Sequence, residues 1–423
     1  MVVSWTGSIL SSCSCPQRTG FSNIFWDGKR GLAGGTGLRI SVFGSTGSIG
    51  LQSLEVAKAL GYGVHALAAG RSAEKLLGQI AEFKPRYATM GDTASSLRLK
   101  GLVAAEGIKT EVLTHDGALE ELAGSDGADR VINAVVGSAG LRVSLAALEA
   151  GKDLALANKE SMVAAGQLMV NAAKAYGASI LPVDSEHSAI WQCMWSSRGA
   201  AVDQIILTAS GGPFRGRKGL SGITPRDALR HPTWNMGAKI TIDSATLINK
   251  ALEVIEARWL FDVHQDRIRV VVHPQSIVHS AVMFSDGSLM AQMGMPDMKL
   301  PIMAALAYPG RSSDKVPGFK YLDLPAVATL TFEEPDATTF PGVRLGHKAL
   351  NLGGLAPCAM SAANESAVGC FLEGRIAFSR ISELAEEAME TAPRTEHPTL
   401  EDVLQADSWA RKLVESRCEP CRS

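Results

Sequence analysis

The sequence predicts an α/β fold: an N-terminal domain on a parallel sheet, a central α+β domain and a small C-terminal helical domain. Three observations predict it. Short apolar runs alternate with helix-spaced stretches as far as residue 183. The order loosens between 204 and 284, and helical spacing alone returns after a proline-rich stretch at 308–335. Strands that alternate with helices pair in parallel through right-handed crossovers.

The first series opens with an apolar run at 38–43 closed by Gly44, followed by an amphipathic stretch at 51–60. Further buried strands are expected at 64–69, 131–136, 153–157 and 180–183, with a helix at 141–150 among them. In the central domain, strands are expected at 204–208, 239–242, 267–272 and 277–284, with one long helix over 245–261. Helical spacing at 348–372 and 381–390 marks the last domain. The expected boundaries are a leader at 1–37, then 38–184, 185–307, a connector at 308–335, and 336–423.

A length of 423 residues suits two or three domains. Lys and Arg total 41 against 43 Asp and Glu, so no basic excess exists for a general nucleic-acid or membrane-surface binder. Nor does any stretch approach the roughly 20 apolar residues of a membrane span. The leader is rich in Ser, Thr and Gly with a single acid, Asp27, and reads as a plastid-type transit peptide. The other reading is an untargeted tail on a cytoplasmic chain. Of the seven cysteines, Cys418 and Cys421 form a C-x-x-C with no second pair beside it, so free thiols in a reducing compartment are expected.

Gly44-Ser-Thr-Gly47-Ser-Ile-Gly50 lies between a strand and a helix, where glycines let the backbone approach a pyrophosphate met by helix-start amides. This makes the first domain Rossmann-like. At the end of the second strand stands Gly70-Arg71-Ser72 instead of an acid. A carboxylate there would repel a 2′-phosphate, whereas Arg71 pairs with it, so NADPH is the expected dinucleotide.

Val183-Asp184-Ser185-Glu186-His187 follows an apolar strand at the sheet end where such folds hold ligands. If the segment stays extended, Asp184 and Glu186 face one way, and two carboxylates on one side repel unless a cation joins them. A third carboxylate is available from Glu253, which shares a helix face with Asn249, beside Lys250. Oxygen ligands alone favour Mg²⁺ or Mn²⁺. A solvated acidic edge is the bland reading. Ser210-Gly-Gly-Pro-Phe214 offers a hydroxyl and amides to an anion, and Ser244 is expected near the start of the long helix, a favourable place for phosphate. His231-Pro-Thr-Trp234-Asn-Met236-Gly237 has the composition of a closing lid.

These blocks, with Ala157-Asn-Lys-Glu-Ser161, His273-Pro-Gln-Ser276, Pro296-Asp-Met298 and Ala362-Ala-Asn-Glu365, resemble the 1-deoxy-D-xylulose 5-phosphate reductoisomerase family from about residue 38 to 390. The resemblance implies an NADP-dependent oxidoreductase that converts 1-deoxy-D-xylulose 5-phosphate, a small phosphorylated keto-sugar, to 2-C-methyl-D-erythritol 4-phosphate on the non-mevalonate isoprenoid route. It implies a central catalytic domain and a homodimer. Carried over by residue, Asp184, Glu186 and Glu253 would hold the metal. Ser210, Ser244, Asn249 and Lys250 would grip the phosphate, with His231 close by, and Lys159 and Ser185 would meet the sugar hydroxyls. Thr46, Gly47, Ser48, Ile49, Gly70, Arg71, Ser72, Asn158, Glu160 and Gly237 would line the NADPH site. Trp234 and Met236 would belong to the lid. Lys159 would assist proton movement or act electrostatically. Arg71 replaces a Lys frequent in the family. Two rival readings are an inactive NADPH-binding sensor or scaffold, expected to have lost one of the three acids, and a metal-independent dehydrogenase.

Overall fold

The computed structural model describes residues 37–197, 199–234 and 236–418; residues 1–36 of the leader and Cys421 therefore lie outside the described residues. Seven parallel strands form the first sheet: β1 (Arg39–Phe43), β2 (Gly63–Ala69), β3 (Tyr87–Met90), β4 (Glu111–Val112), β5 (Arg130–Asn133), β6 (Asp153–Leu156) and β7 (Ile180–Pro182). Their order is β4-β3-β2-β1-β5-β6-β7, so the chain reverses direction across the sheet at β1 and β5. A crevice opens at such a switch point. Ile40, Val42, Leu67, Val131, Leu154 and Ile180 are completely buried, because helices cover both faces.

The turn after β1 needs its glycines. Gly44 has φ +81°, and a Cβ there would meet the Ala134 carbonyl oxygen at 2.4 Å. A Cβ on Gly50 would meet the Gly44 carbonyl oxygen at 2.3 Å, so only glycine lets the Ser48–Ala59 helix leave the strand this closely.

The second sheet orders β11 (Leu289–Met293), β10 (Val278–Phe284), β8 (Val202–Ala209) and β9 (Ile268–Val272). β10 pairs antiparallel with both β8 and β11, whereas β9 lies parallel to β8. The expected strand at 239–242 is instead part of a helix, Ala238–Thr246. Its alternating Lys-Ile-Thr-Ile has strand chemistry, but the Lys239–Asp243 pair at i,i+4 and burial of Thr241, Ile242 and Ala245 match a helical face.

The expected long helix is likewise two. Leu247 takes a left-handed conformation, φ 59°, and Ile248–Phe261 starts afresh after it. Ser244 thus lies in the last turn of one helix, not at the start of the next. Ile248–Phe261 is buried almost all round, including Lys250, Glu253 and Glu256, rather than along one stripe. In the last region Gly342–Leu352, Ala356–Leu372, Phe378–Thr391 and Leu400–Arg417 are helical. The 348–372 pattern breaks at Gly353 and Gly354, both with positive φ.

Candidate active site

A cavity of about 460 Å³ opens between the first sheet's carboxyl ends and the second sheet. Lys159, Asp184, Ser185 and Glu186 line one side of it. Ser210, His231, Ser244, Asn249 and Lys250 line another. Trp234, Met236 and Gly237 also line it, as do Ser48 and Ile49 from the turn after β1.

The acids do not come together as the extended reading required. β7 ends at Pro182, Asp184 is the N-cap of the Ser185–Ser196 helix, and Glu186 lies in its first turn. A cap residue and one two positions on can still face a common point. Asp184, Glu186 and Glu253 do so, each offering an oxygen within 4.8 Å of the others. Glu253 forms the buried base of this cluster, wholly excluded from solvent.

Two lysines bind the acids together. Lys159 Nζ pairs with Asp184, lies 3.2 Å from Glu253 Oε1 and donates to Asn249 Oδ1 at 3.0 Å. Lys250 Nζ donates to Glu186 Oε1 and Glu253 Oε2, each at 2.5 Å, and to the Thr208 carbonyl at 2.7 Å. Burial alone would raise the Asp184 carboxyl, but Lys159 and His187 outweigh it and hold it well below the usual range. Burial would also raise Glu186, yet Lys250 brings it down. For Glu253 burial wins, helped by Glu186, and its carboxyl is raised.

Sequence reasoning gave no role to two further groups. His187 donates from Nε2 to the Glu253 carbonyl at 2.9 Å, and its Nδ1 lies 3.3 Å from Glu256 and 3.7 Å from Asp184. Burial opposes the imidazolium, but Glu256 and Asp184 raise its pKa to about 9. Burial pushes Glu256 up to about 7. The available signal was an acid three residues after Glu253 inside an otherwise apolar helix.

Four carboxylates therefore face two lysines and one histidine in a dry space. The converging oxygens of Asp184, Glu186 and Glu253 suit a hard divalent cation, which would take over the charge neutralisation that the two lysines supply here. The donor set fits the metal expected from sequence.

On the opposite wall, His231 Nδ1 accepts from the amides of Thr233 at 3.2 Å and Trp234 at 2.9 Å. Its hydrogen is thereby assigned to Nε2, which donates to Ser210 Oγ at 3.0 Å. Ser210 Oγ also accepts from Gly212 N at 3.2 Å, so its own hydrogen points to other acceptors. Burial lowers the His231 pKa and favours this neutral form.

The residues expected at the cofactor follow β1, β2 and β6, with β5 standing between β1 and β6. Thr46, Gly47, Ser48 and Ile49 surround the start of the Ser48–Ala59 helix. Gly70, Arg71 and Ser72 follow β2, and the Arg71 side chain is 91% exposed, with Asp92 3.7 Å away. Asn158 and Glu160 lie beside Lys159, but their side chains are engaged within the protein. Asn158 accepts from Ser161 N at 2.8 Å and donates to the Gly137 carbonyl at 2.9 Å, and Glu160 pairs with Lys239 at 2.6 Å. Gly237 caps the helix that carries Lys239.

Three family models match the chain. That of 1-deoxy-D-xylulose 5-phosphate reductoisomerase spans residues 40–166, its C-terminal domain spans 180–261, and a DXP reductoisomerase C-terminal domain spans 293–413. Proteins of that description from Ruminiclostridium cellulolyticum and Chlorobaculum tepidum are each 50% identical, over 88% and 89% of this chain and 97% and 98% of theirs. The chain belongs to the 1-deoxy-D-xylulose 5-phosphate reductoisomerase family.

Solved structures of the family share the architecture. One described as DOX-P reductoisomerase with NADPH, fosmidomycin and magnesium is 38% identical, covers 90% of this chain and 98% of its own, and superposes with a TM-score of 0.84. A Zymomonas mobilis reductoisomerase with NADPH is also 38% identical, over 90% and 99% of the two chains, at a TM-score of 0.82. The family match reaches residue 413, beyond the residue 390 at which the motif resemblance stopped. Magnesium is the cation in the first of these structures, and the Ruminiclostridium, Chlorobaculum and Zymomonas proteins are bacterial.

Proposed function

We propose that the chain converts 1-deoxy-D-xylulose 5-phosphate to 2-C-methyl-D-erythritol 4-phosphate, using NADPH and a divalent cation, on the isoprenoid route. The convergence of Asp184, Glu186 and Glu253 on one point beside Lys159 carries this reading. A divalent cation held there supplies Lewis-acid polarisation of adjacent substrate oxygens, while NADPH supplies hydride. The rival inactive scaffold would have lost one of these acids, and a metal-independent dehydrogenase would leave their convergence without a purpose.

The chain's residues divide the remaining work. Ser210, Ser244, Asn249 and Lys250 grip the phosphate, and His231 aims the Ser210 hydroxyl at it. Distant phosphate contacts of this kind orient the reacting carbons. Lys159, buried and held as an ammonium by Asp184 and Glu253 despite desolvation, offsets negative charge and orients sugar hydroxyls together with Ser185. Trp234 and Met236 close over the substrate and exclude water. Arg71 and Ser72 read the 2′-phosphate, and amides at Thr46, Ser48 and Ile49 take the pyrophosphate, while Gly47, whose own amide closes the turn onto the Gly44 carbonyl, lines the site. Gly70, Asn158, Glu160 and Gly237 complete the nicotinamide cofactor's bed.

Chelation tests the reading. NADPH oxidation driven by deoxyxylulose phosphate should vanish in EDTA and return with Mg²⁺ or Mn²⁺; activity that survives EDTA rules the metal role out. The same titration, run separately for the two cations, decides whether manganese serves better than magnesium. A homodimer is supported by resemblance alone, and light scattering of the purified chain tests it. We read the domain limits as 38–184, 185–307 and 336–423 with a 308–335 connector, to be checked by limited proteolysis. The plastid reading of the leader draws no support from bacterial relatives. A fluorescent fusion to residues 1–37 that stays in the cytoplasm would reject it.

A further inference from the structure

Cysteine chemistry at the far end of the chain is left unused by this reaction. Cys418, the first half of the Cys418-x-x-Cys421 spacing, closes the Leu400–Arg417 helix. Cys370 lies two residues before the end of the Ala356–Leu372 helix. Although 48 residues apart in sequence, their Sγ atoms are separated by 2.6 Å. Bonded sulfurs stand at about 2.05 Å, so a covalent link asks for little further movement.

The rest of the interface holds the pair in place. Val403, Ala406, Ala410 and Val414 form the buried face of the last helix. Glu415 Oε2 accepts from Arg375 at 2.8 Å, and Glu415 Oε1 lies 3.9 Å from Cys370 Sγ. Cys370 is buried, whereas Cys418 is half-exposed at a helix end. Neither belongs to the active-site cavity lining.

We propose that Cys370 and Cys418 form a thiol–disulfide site whose oxidant is a small disulfide of the glutathione class. Cys418 loses its proton to solvent, and the thiolate attacks one sulfur of oxidised glutathione. A Cys418–glutathione bond forms, the glutathione S–S bond breaks, and one glutathione thiolate leaves. The Cys370 thiolate then attacks Cys418 Sγ, forming the internal disulfide and expelling the second glutathione. Each protein sulfur gives up one electron, each glutathione sulfur gains one, and the two protons end on the released thiols.

Access sets this order of attack. Burial, then the adjacent Cys418, push the Cys370 thiol up to about 12, so Cys418 leads and Cys370 resolves. The link would pin the end of the chain's last described helix onto Ala356–Leu372. That helix also donates from Asn364 to Asp243, beside the lid, and holds Arg411 through Glu365. Cross-linking distant residues restricts the unfolded chain, so the effect belongs to stability rather than turnover.

The experiment equilibrates the full chain with oxidised or reduced glutathione, blocks remaining thiols, and maps disulfide-linked peptides by mass spectrometry. A Cys370–Cys418 peptide pair is expected after oxidation, with Tm raised by about 2–5 °C and restored by reductant. Cys418→Ser should abolish both changes, and Cys193→Ser neither. A Cys418–Cys421 link, glutathione adducts alone, a link between two chains, or a Tm shift that persists in Cys418→Ser would each overturn the proposal.

Discussion

Lys239→Met tests a buried network that ties three distant parts of the chain together. Lys239 Nζ lies 2.6 Å from Glu160 Oε1 and 2.8 Å from Asp243 Oδ2, and the three side chains are 19%, 14% and 1% exposed. Asp243 Oδ1 also accepts from Asn364 Nδ2 at 2.7 Å. Removing one partner of a buried pair costs about 3–5 kcal/mol, and the remaining Asn364 bond places this case near about 3 kcal/mol. At about 2 °C per kcal/mol for a large chain, Tm should fall by about 6 °C.

The pH dependence has a definite sign. Burial pulls the Lys239 ammonium down, but Asp243 and Glu160 outweigh it and raise its pKa. Its contribution is therefore complete below the unfolded value of about 10.4 and lost as pH rises through the folded value. Burial pushes Glu160 up, but Lys239 outweighs it and lowers the carboxyl. That contribution is complete above about 4.3 and lost as pH falls through the lowered value. Urea unfolding of wild type and variant should show a stability gap that is flat from about pH 5 to about 10 and narrows beyond both ends. Adding Asp243→Asn to the variant should recover part of the loss, since one stranded charge is gone. A single variant within about 1 kcal/mol of wild type at neutral pH would refute the argument.

Three further outcomes follow from the site. Glu253→Gln should lower kcat about 100-fold or more while the NADPH dissociation constant, read by fluorescence, changes little; a fully active variant removes Glu253 from the metal set. Arg71→Glu should weaken NADPH by about 10- to 100-fold but barely affect NADH, and an equal loss for both would show that Arg71 does not read the phosphate. Glu256→Gln takes away the carboxylate that holds His187, so the Mg²⁺ concentration for half-maximal activity should rise about tenfold. An unchanged metal requirement would leave Glu256 a purely structural residue.

Much of the site was legible because its residues are rare in their local settings. Acids at Asp184 and Glu186 directly after an apolar strand, and Glu253 within an apolar helix, conflict with simple burial and so point to a ligand. The backbone between them was less legible. Residues 184–187 read equally well as extended, and only tertiary packing of the Ser185–Ser196 helix decides otherwise. Lys-Ile-Thr-Ile at 239–242 carries β-branched residues whose strand preference is overridden by the Lys239 network. β3 and β4 went unread because they are short and lie at one side of the sheet. The pairing of His187 with Glu256, and of Cys370 with Cys418, joins residues far apart in sequence, and spacing holds no trace of it.

The order of the first sheet has a consequence for hydride delivery. The glycine turn follows β1, while Asp184 follows β7, three strands away. At about 4.8 Å per strand the glycine turn and the acid cluster stand roughly 14 Å apart on one hydrogen-bonded plate. The cofactor's pyrophosphate anchor and the acid cluster are thus spaced by the sheet itself, much as two instruments are bolted to a single bench, and the nicotinamide arm has that gap to bridge. The residues of 231–237 then need only enclose the sugar; a change that twisted the plate would misalign the reactants while leaving each partner's own affinity intact.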